Sequence, residues 1–444
     1  MITSNMIRTI TVEIPSKPGS LGKVTAAIGK AGGDIGEIKI MNIGPLSTVR
    51  NITIHCVDAG QLSHAIQAIK EIGNGFCIHS VSDDILHAHA GGKIHMASRA
   101  NINSLDDLRR IYTPGVANVC QVIKDDPKQA KYFTSISNTV AIITDGTAIL
   151  GLGNIGPVAG MPVMEGKAAL FDRLAGISGI PILLDTSDPD EVVQTVKHIS
   201  KGFGGILLED IGSPHCFEIE ERLKQELPIP VMHDDQHGTA VVSLAAVISA
   251  CREAGVSLKN STVGQIGLGA AGLAICRMLM AYGVKEMYGL DLQPSALDRL
   301  EGYGGTPLHS LEDLMDKSDI VIATTGVPGL IKPEMIHSGQ IILSLSNPSP
   351  EIEPENALKA GAIFAADGRS VNNVLGFPGI FRGALNAGAK EITYSMLVAA
   401  ATAIASCTKS GELVPHPLDP KVHSEVASAV ERCTLHAKDL IKVM

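Results

Sequence analysis

The stretch STVGQIGLGAAGLAICRML, residues 261–279, joins a short apolar strand to a helix through a glycine-rich turn. Gly267 permits the tight turn, Gly269 lets backbone approach a pyrophosphate, and Gly272 lets the helix pack closely on the strand. Ala270 and Ala271 stand at the helix start, where free N–H groups and the positive dipole end suit phosphate. The following strand ends at Asp291. A carboxylate there accepts hydrogen bonds from ribose hydroxyls and repels a 2′-phosphate, and Leu292-Gln293-Pro294 offer no basic residue to receive one. The expected cofactor is therefore NAD rather than NADP. Thr325, in ATTGVPG (323–329), sits at a glycine-bearing strand end suited to the nicotinamide half.

Around this stretch the chain alternates strands and helices. KEMYGLD, SDIVIATT, GQIILSLS and GAIFAAD read as further strands, so residues 236–444 are expected to form a Rossmann-type NAD-binding domain with a helical tail. Upstream, TVAIITD, PILLDT, GGILLED and PIPVMHDD read as four apolar strands. The helices DPDEVVQTVKHISK and SPHCFEIEERLKQEL, with start signals at Asp188-Pro189 and Ser213-Pro214, separate three of them. This predicts an α/β catalytic domain over 98–235 with a mainly parallel sheet. Residues 1–90 read as βαββαβ, a small ferredoxin-like unit, and AHAGGKIHMASR as its linker.

Every strand of the 98–235 region ends in acid: Asp145, Asp185, Glu209-Asp210 and Asp234-Asp235. Chemistry collects beyond the carboxyl ends of parallel strands. Glu209, Asp210 and Asp235 read either as caps and salt-bridge partners or as an all-oxygen site for Mg²⁺ or Mn²⁺. Consecutive strand residues face opposite ways, so Glu209 and Asp210 can share a cation only if the strand has already ended. Lys167, in MPVMEGKAALF at the start of an expected helix, is either a surface lysine or, with its pKa lowered by apolar surroundings, a base. Tyr112, in RRIYTPGVANVC, is one of six tyrosines and by itself reads as a half-buried structural residue.

The formal net charge of −10 argues against nucleic-acid and anionic-membrane partners, and 3% aromatic residues with no Trp argue against stacking platforms. Eight cysteines without metal spacing fit a reduced compartment. The N-terminus lacks the apolar core of a signal peptide, and the most apolar stretch, Met396 to Ala405, is too short to span a bilayer. A cytoplasmic protein is expected.

YTPGVA (112–117), GLGNIGP (151–157), MEGKAALF (164–171), LLED (207–210), HDDQHGTA (233–240), the glycine turn, SNPSPE (346–351) and VNNVLGFPGIFRGAL (371–385) follow one another in this order. In this set, over roughly residues 98–440, the chain resembles the malic enzyme family in its shorter prokaryotic form. The resemblance implies NAD-dependent oxidative decarboxylation of L-malate. Tyr112 would be the general acid and Lys167 the general base, with Asp234 orienting Lys167. Glu209, Asp210 and Asp235 would hold the metal. Asn347, Asn372 and Asn373 would contact substrate and the nicotinamide ribose region. Longer eukaryotic members carry an arginine for a substrate carboxylate shortly before the GLG motif, where this chain has Ala148; the metal, the asparagines or Arg382 would meet the substrate's charge instead. The N-terminal unit resembles the ACT domain through KPGSLGKV, which implies either a small effector at the Pro18–Gly22 turn or a dimerisation module without ligand. A homodimer or higher homo-oligomer is expected. A malolactic-type or oxaloacetate-decarboxylating lyase and a non-catalytic effector sensor are the rival readings.

Overall fold

The computed structural model describes residues 6–73, 75–149, 152–346 and 349–443. Two compact units divide the chain, one ending at His95 and the other beginning at Met96.

The first unit runs β1 (Met6–Pro15), α1 (Ser20–Lys30), β2 (Asp34–Ile43), β3 (Ser47–Cys56), α2 (Ala59–Lys70), β4 (Cys77–Asp83) and a short α3 (Asp84–His89). Its sheet is antiparallel in the order β2-β3-β1-β4. Alternation along β1 turns Ile10, Val12 and Ile14 inward against Ile52 and Ile54 of β3 and Val24, Ile28 and Ile69 of the helices. The carboxylate of Asp58 caps α2 by accepting the Gln61 N–H at 2.8 Å. Gly19 caps α1 at φ 82°, a left-handed conformation that suits glycine.

The second unit opens with three short helices, α4 (Leu105–Ile111), α5 (Val116–Asp125) and α6 (Ala130–Phe133), none of which buries a residue. Next come β5 (Thr139–Thr144), α7 (Pro157–Ala175), β6 (Ser178–Leu183), α8 (Pro189–Ile199), β7 (Gly205–Leu208), α9 (His215–Glu226) and β8 (Val231–His233). These strands form a parallel sheet, β6-β5-β7-β8. One wide π-helical turn, Asp234–Gly238, leads into α10 (Thr239–Ala254). A second parallel sheet follows from β9 (Thr262–Ile266), α11 (Ala270–Tyr282), β10 (Glu286–Leu290), α12 (Pro294–Gly302), β11 (Thr306–Pro307), α13 (Leu311–Lys317), β12 (Ile320–Ala323), β13 (Ile341–Ser344), α14 (Pro354–Ala360) and β14 (Phe364–Asp367). Its order, β11-β10-β9-β12-β13-β14, is the doubly wound dinucleotide arrangement, and the order reverses between β9 and β12. The helices α15 (Phe377–Asn386), α16 (Tyr394–Cys407) and α17 (Pro420–Val443) finish the unit.

Two local expectations change. Lys167 lies deep inside α7, which starts ten residues earlier at Pro157, because the Gly156-Pro157 pair supplies the helix start. Helix α9 begins at His215, so Ser213 is not its cap. β11, absent from the sequence reading, is two residues long, too short to display any alternation. The apolar 396–405 stretch lies in α16, which buries Met396, Leu397, Ala400, Ala401, Ile404 and Ala405 and packs against α10 and α17. Among the described residues, no helix is long and apolar enough to cross a membrane.

A candidate active site at the ends of two parallel strands

β7 stops at Leu208, and Asp210 then adopts φ 54°, the only positive φ outside glycine among the described residues. That turn meets the condition for two consecutive carboxylates to face one rim. An oxygen of each of Glu209, Asp210 and Asp235 lies within 4.8 Å of the others. Asp235 arrives from the π-turn after β8, and its Oδ2 accepts the Asp210 N–H at 2.9 Å.

The trio fits a hard cation. Glu209 is 3% exposed, and its Oε2 is buried without a hydrogen-bond partner among the described residues. A buried carboxylate oxygen lacking a donor is costly unless a cation satisfies it. An all-oxygen donor set matches Mg²⁺ or Mn²⁺. Burial pushes the Glu209 carboxyl well above its usual range; Lys167 opposes this, while Asp235, Asp234 and Asp210 push it further up.

Lys167 reaches this rim from α7. Its Nζ pairs with Asp234 Oδ2 and, at 3.0 Å, with Glu209 Oε1, and it lies 4.6 Å above the Phe377 ring. The expected lowering of its pKa is overturned. Burial does disfavour the ammonium, but Asp234, Glu209 and Asp235 outweigh it and hold the group above its ordinary range. Asp234 Oδ2 also accepts from Asn373 Nδ2 at 3.2 Å, and Asn373 Oδ1 accepts from Thr239 Oγ1 at 3.1 Å. Phe377 and Phe381 meet Phe171 edge-on, so the C-terminal α15 buttresses the lysine's helix.

Not every candidate joins the cluster. Tyr112 ends α4 with 66% of its surface exposed, and no hydrogen bond ties its hydroxyl to the rim among the described residues. Asn372 is exposed, and its side chain caps the Val374 N–H at 3.0 Å. Asn347 lies outside the described residues. Arg382 cannot serve the rim as placed. Its Nη1 donates to Asn138 Oδ1, at 2.7 Å, and to the Ala175 carbonyl at the far end of α7. Ala175 is eight residues beyond Lys167, about 12 Å at a helical rise of 1.5 Å per residue.

The glycine turn has the geometry of a phosphate cradle. A Cβ on Gly267, at φ 88°, would come 2.8 Å from the Thr324 carbonyl oxygen. One on Gly272 would strike the Gly267 carbonyl oxygen. One on Gly269 would meet nothing within 4 Å, so the turn is open there. Ala270 and Ala271 follow as the first residues of α11, and Ala270 packs on the core of the β5–β8 sheet. Helix α11 also packs against the π-turn that carries Asp234 and Asp235. The cradle and the carboxylate rim are thus joined through one helix. Asp291 Oδ2 accepts the Leu268 N–H at 2.7 Å, so this carboxylate also fastens the turn itself.

Two residues escaped the sequence reading. Glu351 is fully buried; its Oε1 accepts from Thr325 N–H and Oγ1 and from Ser346 Oγ, tying the loops after β12 and β13 together. Glu220 binds the π-turn from α9. Neither is distinguishable in sequence from an ordinary solvated glutamate; Glu220 is flanked by Glu218 and Glu221. A cavity of about 860 Å³ opens beside Lys224, Gln236, Arg277, Tyr303 and Tyr394, but no member of the carboxylate trio lines it.

An acidic cation rim coupled through a cofactor helix to a doubly wound sheet defines a metal-assisted dehydrogenase of the dinucleotide-binding class. The malic enzyme N-terminal domain profile matches residues 92–224, and the malic enzyme NAD binding domain profile matches 236–300 and 362–436. The chain is 68% identical to NAD-dependent malic enzyme 1 of Bacillus subtilis, over 98% of this chain and all of that protein. It is 44% identical to NAD-dependent malic enzyme of Geobacillus stearothermophilus, over 95% and 93%. The crystal structure of malic enzyme from Pyrococcus horikoshii superposes with a TM-score of 0.76 at 41% identity, covering 80% of this chain and 90% of that one. The chain belongs to the malic enzyme family.

Proposed function

We infer that this chain is an NAD-dependent malic enzyme, converting L-malate and NAD⁺ to pyruvate, CO₂ and NADH. One observation carries the reading: Lys167, Asp234 and Asn373 converge with the Glu209–Asp210–Asp235 trio beside the cofactor helix. Its identity to NAD-dependent relatives supports the choice of reaction and cofactor. Glu209, Asp210 and Asp235 would hold the divalent cation, and Gly267, Gly269, Ala270, Ala271, Gly272, Asp291 and Thr325 the dinucleotide. When bound, the cation supplies Lewis acidity and NAD⁺ accepts the hydride.

The chain's own residues move the protons. Lys167 Nζ, which would give up its own proton once a bound cation met the charge of Glu209 and Asp235, takes the C2-hydroxyl proton as hydride leaves C2 and the ketone forms. Asp234, steadied by Asn373, keeps that amine aimed at the rim. The C3–C4 bond then breaks, CO₂ departs, and the Tyr112 hydroxyl protonates C3 to give pyruvate. A proton donor to carbon works best out of water. Tyr112 and its neighbours Leu105, Leu108 and Ile111 are all exposed in the single chain. A second copy covering this segment would remove them from water, which supports a homodimer or higher homo-oligomer.

The first unit is proposed as a regulatory module that takes a small effector at the Pro18–Gly22 turn. The left-handed Gly19, with no atom within 4 Å of where its Cβ would stand, supports that placement. The eight free cysteines fit a cytoplasmic setting. The deciding experiment is an initial-rate assay with L-malate, Mn²⁺, and NAD⁺ or NADP⁺ in parallel, read by NADH or NADPH absorbance. Malate-dependent NADH formation with stoichiometric pyruvate is expected. Lactate, or pyruvate formed from added oxaloacetate but not from malate, would favour the lyase readings instead.

A further inference from the structure

β8 is the edge of its sheet, so the N–H of its last residue, His233, has no strand to bond to. Glu220 supplies the acceptor: its Oε1 takes the His233 N–H at 2.9 Å. Its Oε2 takes His237 Nε2 at 2.9 Å. One carboxylate therefore binds the residue just before Asp234-Asp235 and another just after them. Lys224, one turn along α9, holds Glu220 Oε1 at 2.8 Å. Glu220 and His237 are both at least 95% buried. A buried carboxylate is expensive unless its bonds are made, and an apolar residue would fill this position of α9 at lower cost. What an apolar side chain cannot do is fix both ends of a turn.

We propose that Glu220 is a positioning residue of the cation site, clamping the two ends of the 233–237 turn so that Asp235 meets Glu209 and Asp210. The inference rests on the reading of that trio as the cation site. Outer partners that orient metal ligands are worth roughly 10–100-fold in metal affinity. Glu220 touches neither substrate nor cofactor in this role; it acts through Asp235, with Asp234 held in the same turn.

The test measures Mn²⁺ binding to the full-length protein by electron paramagnetic resonance, with NAD binding and thermal melting alongside. Glu220→Ala should weaken Mn²⁺ roughly 10–100-fold and leave NAD affinity within about twofold. Glu220→Gln should fall between, because its carbonyl still accepts the His233 N–H. Lys224→Met removes a charge partner of Glu220 and a 3.3 Å contact with His237 Nε2, but neither of the two bonds from Glu220 to the turn. It should lower the melting temperature and leave Mn²⁺ affinity within about twofold, well short of the loss expected for an orienting partner. A folded Glu220→Ala protein with unchanged Mn²⁺ affinity would overturn the proposal. So would Lys224→Met weakening Mn²⁺ as much as Glu220→Ala, since that is the mark of a merely stabilising ion pair. If Glu220→Ala does not fold, Glu220→Gln decides by the same comparison. Wild-type malate oxidation is assayed separately. Its failure with normal Mn²⁺ binding overturns the functional reading alone, whereas absence of Mn²⁺ binding to wild type overturns both.

Discussion

Lys167 faces the rim formed by Glu209, Asp210, Asp234 and Asp235 and is proposed as its general base. Lys167→Ala should lower malate turnover on the order of 10²–10⁴-fold, the usual size of a general-base loss, while calorimetry still detects NAD binding. Near-normal turnover would remove Lys167 from the base role. Four acids against one ammonium also leave the rim short of positive charge, so Mn²⁺ should stabilise the protein. At a hundredfold excess over its dissociation constant the gain is about 2.7 kcal/mol, seen as a higher melting temperature that EDTA reverses. Asp235→Asn and Glu209→Gln should each shift the Mn²⁺ titration to higher concentration; superimposable curves for both would rule out the trio. Asp291 is proposed to set the cofactor. NAD⁺ should give the higher kcat/KM, because the carboxylate repels a 2′-phosphate and is locked in place by the Leu268 N–H. Equal efficiency with NADP⁺ would refute that assignment.

At the scale of elements, the β9–α11 turn separates two kinds of glycine. Gly272 lies where the helix crosses its own strand, and a Cβ there runs into the Gly267 carbonyl. Gly269 faces open space, at φ −69°, a conformation any residue adopts. Gly272→Val should therefore lower both the melting temperature and NAD affinity. Gly269→Val should leave melting nearly unchanged and weaken NAD binding, because its side chain occupies only the room a pyrophosphate would use. If both variants melt like the wild type and bind NAD alike, the cradle is not here. The π-turn after β8 works by the same logic of backbone placing side chains. It sends Asp234 toward Lys167 and Asp235 toward Asp210.

For the whole molecule, the division at His95 separates a unit with no acid, base or glycine fingerprint of the rim from one holding all of them. A protein beginning near Gly92 should keep malate turnover and lose any response to amino acids or other small metabolites. Full response in the shortened, correctly assembled protein would move the effector site into the second unit. An inert shortened protein, folded and assembled, would make the first unit part of the catalytic machinery.

Hydrophobic period and turn punctuation by themselves determine much of this chain. Alternating β1 and the predominantly apolar β5, β7, β12 and β13 announce a half-buried and a fully buried strand by composition alone. The glycine turn is legible because each glycine answers a local steric demand. The acids at the strand ends are visible too, since topology sends them to one edge. Three-dimensional packing decided what local pattern cannot encode. Whether Glu209 and Asp210 share a face depended on the left-handed φ of Asp210, and the charge state of Lys167 depended on acids 42 and 67 residues away in sequence. The standing of Glu220 among its neighbouring glutamates depended on which side of α9 meets an edge strand. Those are long-range contacts, and a sequence states only which residues are available to make them.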